Sequence, residues 1–160
     1  MTLYLRGDEM YNFLLVFHDL FRWLVVAAAL AAVIKAFLGW FGKQGWTRLD
    51  DRLGLIFTMG MDIQVLVGIL LYITSPLIHS AWTSLSSALA DPSLRFFSLV
   101  HELLVLVAVA LAHIGRTRSR KQPADAGKFR TAAVFYALSI LVLLVAIPWP
   151  FDFGRPWIRF

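Results

Sequence analysis

The chain has 160 residues, of which 59% are hydrophobic and 16% are charged, with a mean hydropathy of +0.72. Soluble domains carry about 25% charged residues, so this composition excludes an ordinary water-soluble globule and makes lipid part of the solvent. The absence of cysteine excludes disulfides, thiol catalysis, iron–sulfur clusters and thioether-linked haem. The net charge of +5 is explained below by its place in two loops and implies no nucleic-acid partner.

Four continuous apolar blocks follow one another, at about residues 12–41, 55–78, 94–114 and 132–149. A membrane-spanning helix needs roughly 20 apolar residues, and each block approaches or exceeds that. None alternates apolar with polar residues, which rules out a lipid-facing β-barrel. The expected fold is therefore all-α: a single transmembrane domain over residues 1–160, an integral membrane four-helix bundle running up-down-up-down. The first block has no basic start and is too long for a cleaved signal peptide, so it is expected to be retained.

Lys and Arg placement sets the expected orientation. The first loop holds Lys43, Arg48 and Arg52, and the third holds Arg116, Arg118, Arg120, Lys121, Lys128 and Arg130. Only Arg6, Arg95, Arg155 and Arg159 fall on the other side, offset by Asp8, Glu9, Asp91 and Asp152. The basic loops are expected to be cytoplasmic and both termini periplasmic, in the inner membrane of a bacterium. Trp40, Trp46, Trp82, Trp149 and Trp157 sit at or beyond the block ends, as an interfacial aromatic belt does. Pro148 and Pro150 are expected to end the fourth helix. Gly60 and Gly68 share a face of the second helix and predict a close helix contact.

Ionisable groups within such blocks are costly and mark function by default. His18, Asp19, Arg22, Lys35, Asp62, His101 and Glu102 fall inside them, and His113 lies at an edge. His18 comes about six residues into the first block and His101 about seven into the third. Both helices enter from the same side, so the two imidazoles reach similar depth. That arrangement suits an iron held between two helices of a bundle. Arg22, one turn deeper than His18, is placed to offset a haem propionate or to pair with Glu102, and Asp19 to orient a ligand histidine. The expected site is therefore metal ligation by His18 and His101, with Arg22 and Glu102 completing the cofactor site. His113 is twelve residues from His101 and points about 120° away, so one haem is expected rather than two. An Asp62–Lys35 ion pair is expected in the opposite half, with a proton entry point or quinone contact as its functional alternative. His79 is expected to be exposed and without a partner.

His18 with Arg22–Trp23, Asp62–Ile63–Gln64, His101–Glu102 and the Pro148–Trp149–Pro150–Phe151 ending together give a chain that resembles small bacterial four-helix membrane proteins of the cytochrome b type. The resemblance covers nearly the whole chain. It implies one bis-histidine haem b and electron transfer with quinol or with a larger respiratory complex. The chain departs from two-haem relatives, which need four ligands. Two other classes fit the same residues. One is a cofactor-free accessory subunit or assembly factor, docking through the first helix and the aromatic tail. The other is a small-solute or proton carrier using Asp62, Lys35 and Glu102.

Overall fold

A computed structural model describes residues 2–153. Residues 154–160, and with them Arg155, Trp157 and Arg159, lie outside the described residues, as do the side chains of Arg6, Asp8 and Asp152. The described residues form helices and no strands: α1 (Thr2–Phe41), α2 (Arg48–Thr74), the short α3 (Pro76–Thr83) and α4 (Leu85–Ala90), α5 (Pro92–Arg95), a π turn (Phe96–Val100), α6 (His101–Arg120), α7 (Asp125–Ala146) and the single turn α8 (Pro150–Phe153). α5, the π turn and α6 run on as one long helix. Four helices are thus long and apolar enough to cross a membrane: Glu9–Phe41, Arg48–Thr74, Pro92–Arg120 and Asp125–Ala146.

Consecutive long helices are antiparallel. At one end Lys35, near the close of α1, meets Asp50, near the start of α2, and Gly115 of α6 lies against Phe135 and Tyr136 of α7. At the other end His18 of α1 lies beside Gly68 of α2 and His101 of α6 beside Ala146 of α7. The closest packing joins α6 with α7 and α1 with both α2 and α7, while α2 and α6 share a shorter seam.

Small residues make this packing possible. Ala29, Ala32 and Ala36 of α1, Ala108 and Ala112 of α6 and Ala132 and Ala133 of α7 are buried, letting backbones approach as membrane helix contacts require. Gly39 sits under the Phe129 ring so closely that even a methyl group would overlap it. Gly60 and Gly68 both face α1, against Val25 and His18, as the sequence predicts. Buried hydroxyls are satisfied: Ser139 donates across the bundle to the Ala108 carbonyl (2.7 Å) and Thr58 to that of Gly54 in its own helix (3.0 Å). Outward, Leu24, Ile34, Ile56, Leu66, Leu103 and Val145 are exposed, an apolar jacket compatible with contact to lipid.

The helix bounds differ from those of the apolar blocks. α2 starts seven residues before its block, where Asp50 accepts from the Thr47 amide (2.7 Å) and hydroxyl (2.6 Å) in a capping box. It stops at Thr74 rather than Ile78, since Ser75 is extended and Pro76 opens a new helix. α7 spans 125–146 rather than 132–149, closing before Pro148.

Candidate functional site

Two rings from different helices meet at one end of the bundle. The His18 and His101 ring centroids are 6.5 Å apart, with the planes inclined at 66°. Depth along the helices brings them level, and helix rotation turns them together.

The sequence around Pro148 explains how His101 is held. In a continuing helix the carbonyls of Leu144 and Ala146 would accept from residues 148 and 150, but both are proline and have no N–H. Leu144 O instead accepts from the Trp149 indole (2.9 Å), and Ala146 O accepts from His101 Nδ1 (2.8 Å). The orphan acceptors of a helix end thereby fix the imidazole. With Nδ1 as the donor, Nε2 is the basic nitrogen of the neutral ring. This is the outer-shell bond that commonly orients metal-ligating histidines. Phe96 and Phe97 pack on the same ring, at 5.9 and 6.4 Å between centroids.

His18 is held through its backbone, whose carbonyl accepts from Gln64 Nε2 of α2 (2.8 Å). Its ring nitrogen Nδ1 is buried and has no hydrogen-bond partner, a condition that native interiors rarely tolerate. Gly68 walls the same space: a Cβ there would come within 3.5 Å of His18 Cε1, and any longer side chain would fill it.

Two adjoining clefts meet at the histidines. The outer one, about 180 Å³, includes Tyr11, Asp19, Tyr72 and Ser75 in its lining. The inner one, about 250 Å³, is lined largely by apolar side chains including Val25, Met61, Leu106 and Leu143. His18, Arg22, Gly68, His101 and Glu102 border both. Arg22 forms an ion pair with Asp19 (2.9 Å), with both side chains largely buried, and lies 5.0 Å from the Trp23 ring centre. The structure thus puts Asp19 against Arg22, and Glu102 on the wall of the same cleft.

These residues fit a haem. His18 and His101 would hold the group from two different helices, their ring centres lying 6.5 Å apart. No group of three or more His, Cys, Asp or Glu suited to a metal ion occurs among the described residues.

Other expected contacts differ. Lys35 does not pair with Asp62. It binds Asp50 (3.2 Å) and Gln44 (2.8 Å) at the end of the bundle, because Lys35 lies within two turns of the close of α1. Asp62 pairs instead with His113 of α6 (2.8 Å), both side chains about half exposed on the α2–α6 seam. His113 therefore has a partner within the bundle. His79 is exposed, yet its Nε2 bonds the Ile73 carbonyl (2.7 Å) across the Ser75–Pro76 break. Sequence reasoning missed Tyr72 as a cleft residue, although it follows Gly68 by four and so shares its helix face.

No family model, curated protein or solved structure matches the chain.

Proposed function

We propose that this chain is a membrane-bound b-type cytochrome that holds one haem b between His18 and His101. The observation that carries the reading is the 6.5 Å approach of two imidazoles from α1 and α6 over a cleft bordered by Gly68, Arg22 and Glu102. When bound, haem supplies one-electron redox chemistry. The chain's own residues do the rest. Ala146 O orients His101, Arg22 balances carboxylate charge beside Asp19, Glu102 adds a polar group to the wall, and Phe96, Phe97 and Ile147 keep water from the ligands.

On this reading the protein is a multi-pass protein of the bacterial inner membrane, with its basic loops cytoplasmic, both termini periplasmic and the histidines near the periplasmic face. Nine basic residues, in two loops and the helix ends that flank them, support that orientation. Electrons pass to or from a lipid-soluble quinol or a larger respiratory complex.

The test is a reduced-minus-oxidised spectrum of the detergent-purified protein with pyridine haemochrome quantitation. A sharp α-band at close to one haem per chain is expected, and His18→Ala or His101→Ala abolishes the low-spin signal. A full spectrum retained after both changes overturns the assignment. A featureless spectrum after expression with ample haem, with co-purification of a respiratory complex, favours the cofactor-free accessory subunit.

A further inference from the structure

Five residues before the ligand histidine, the third long helix changes its winding. Phe96–Val100 forms a π turn, closed by the His101 amide donating to the Phe96 carbonyl. Each α-helical residue advances about 100°, so positions five apart point about 140° away from each other. A π turn brings such positions into line, and here it lays the Phe96 ring 5.9 Å from that of His101. Phe96 and Phe97 also pack on Phe153, with ring centres 4.7 and 5.5 Å away. The extra residue in the turn thus satisfies two demands that a straight helix cannot: the aromatic cluster with α8, and an imidazole directed at His18. Without it, His101 would sit about 100° further round the helix.

A wide turn loosens the regular carbonyl–amide ladder, and side chains of neighbouring helices often stabilise it. Two hydroxyls do so here. Ser98 Oγ donates to the Leu94 carbonyl within the helix (2.7 Å). Tyr72 donates from α2 to the Ser98 carbonyl at the centre of the turn (3.0 Å). The tie crosses the α2–α6 seam, and Tyr72 lines the outer cleft with both histidines.

We propose that Tyr72 is a positioning residue: its hydroxyl pins the π turn, and the turn sets the plane and direction of His101 toward the metal. This rests on the haem reading above. The tie connects α2 to a ligand of α6, so the relative placement of the two helices is expressed in the ligand field.

The experiment compares full-length wild type, Tyr72→Phe and Thr74→Val after purification with haem. Thr74 is the control because its hydroxyl bonds the Leu70 carbonyl of its own helix. Electron paramagnetic resonance of the oxidised proteins reads the mutual orientation of two axial imidazoles, and a redox titration reads the midpoint potential. Tyr72→Phe is expected to keep its haem, to shift the low-field g value, to add a high-spin fraction absent from wild type, and to move the potential. Thr74→Val leaves all of these unchanged. Deletion of Leu99, which removes the extra residue, abolishes the low-spin signal. Wild-type low-spin haem with an unaltered g value and potential in Tyr72→Phe overturns the role of Tyr72 alone. A wild-type chain that takes up no haem overturns the haem reading and this proposal with it.

Discussion

Gln64 of α2 donates its side-chain amide to the main-chain carbonyl of His18 on α1, 2.8 Å away. The bond ties two helices at the backbone of the candidate ligand itself while leaving the imidazole untouched. Polar ties between membrane helices contribute about 0.6 kcal/mol on average and seldom more than about 1.7 kcal/mol. Gln64→Met keeps the length of the side chain and loses the donor. The expected loss, read by unfolding the protein from detergent micelles with dodecyl sulfate, is about 1 kcal/mol. A loss several times larger would mean that Gln64 does more than join the helices.

Gly68 gives a sharper test of the cleft. An added methyl would reach His18 Cε1 at 3.5 Å, an ordinary contact, so Gly68→Ala is expected to fold and to load haem. Gly68→Leu projects into both clefts and is expected to exclude haem while the helical circular dichroism stays that of wild type. Normal loading of the leucine variant would show that the cofactor lies elsewhere.

At the opposite end, a Cβ on Gly115 would collide with Phe135 Cβ, an atom fixed to its backbone, and crowd the Tyr136 ring. Overpacking of this kind costs about 1–3 kcal/mol. Gly115→Ala is expected to fall in that range, and Gly60→Ala well below it, since Gly60 faces only the tip of Val25 at 3.3 Å. Thermal melts of the two variants in one detergent would rank them.

Asp50 carries both the capping box with Thr47 and the ion pair with Lys35, and its side chain is 2% exposed against 25% for lysine. Asp50→Ala removes the cap, typically about 1 kcal/mol, and leaves the half-buried Lys35 with Gln44 alone. A combined loss of about 2–4 kcal/mol is expected. A double-mutant cycle with Lys35→Met would return part of it.

The Asp62–His113 pair is half exposed and borders neither cleft. Asp62→Asn and His113→Ala are therefore expected to leave the haem spectrum and its stoichiometry as in wild type. Loss of haem in either would tie this pair to the cofactor. Loss of a transport activity in proteoliposomes would revive the carrier reading.

The contrast between the two ion pairs shows what a sequence conveys about such a bundle. Continuous apolar runs mark four spanning helices, and residue counts from a common side put His18 and His101 level, because rise per residue is nearly constant. Rotation is different. Asp62 and Lys35 were expected to share a depth and a contact, but Lys35 lies low enough to reach Asp50 in the loop-proximal turn of α2. Asp62 faces α6 instead of α1, and finds His113. The π turn lay beyond composition and periodicity as well, since Phe96–Val100 reads as unbroken helix. Its partners Phe153 and Tyr72 arrive from distant parts of the chain. The Pro148–Trp149–Pro150 ending was legible as a stop, but not as the source of the carbonyl that holds His101.

The short seam between α2 and α6 bears on how such a protein matures. The other three contacts, α1 with α2, α1 with α7 and α6 with α7, join all four long helices into a folded ribbon that needs no help from the fourth. The inner cleft takes its lining from both sides of that seam, with Met61, Val65 and Ile69 on one and Val105 and Leu106 on the other. A flat, apolar guest dissolved among the acyl chains would arrive edge-on at this slit and slide in sideways. On the haem reading, insertion of the polypeptide and loading of haem would be separable, the second taking place in the plane of the bilayer.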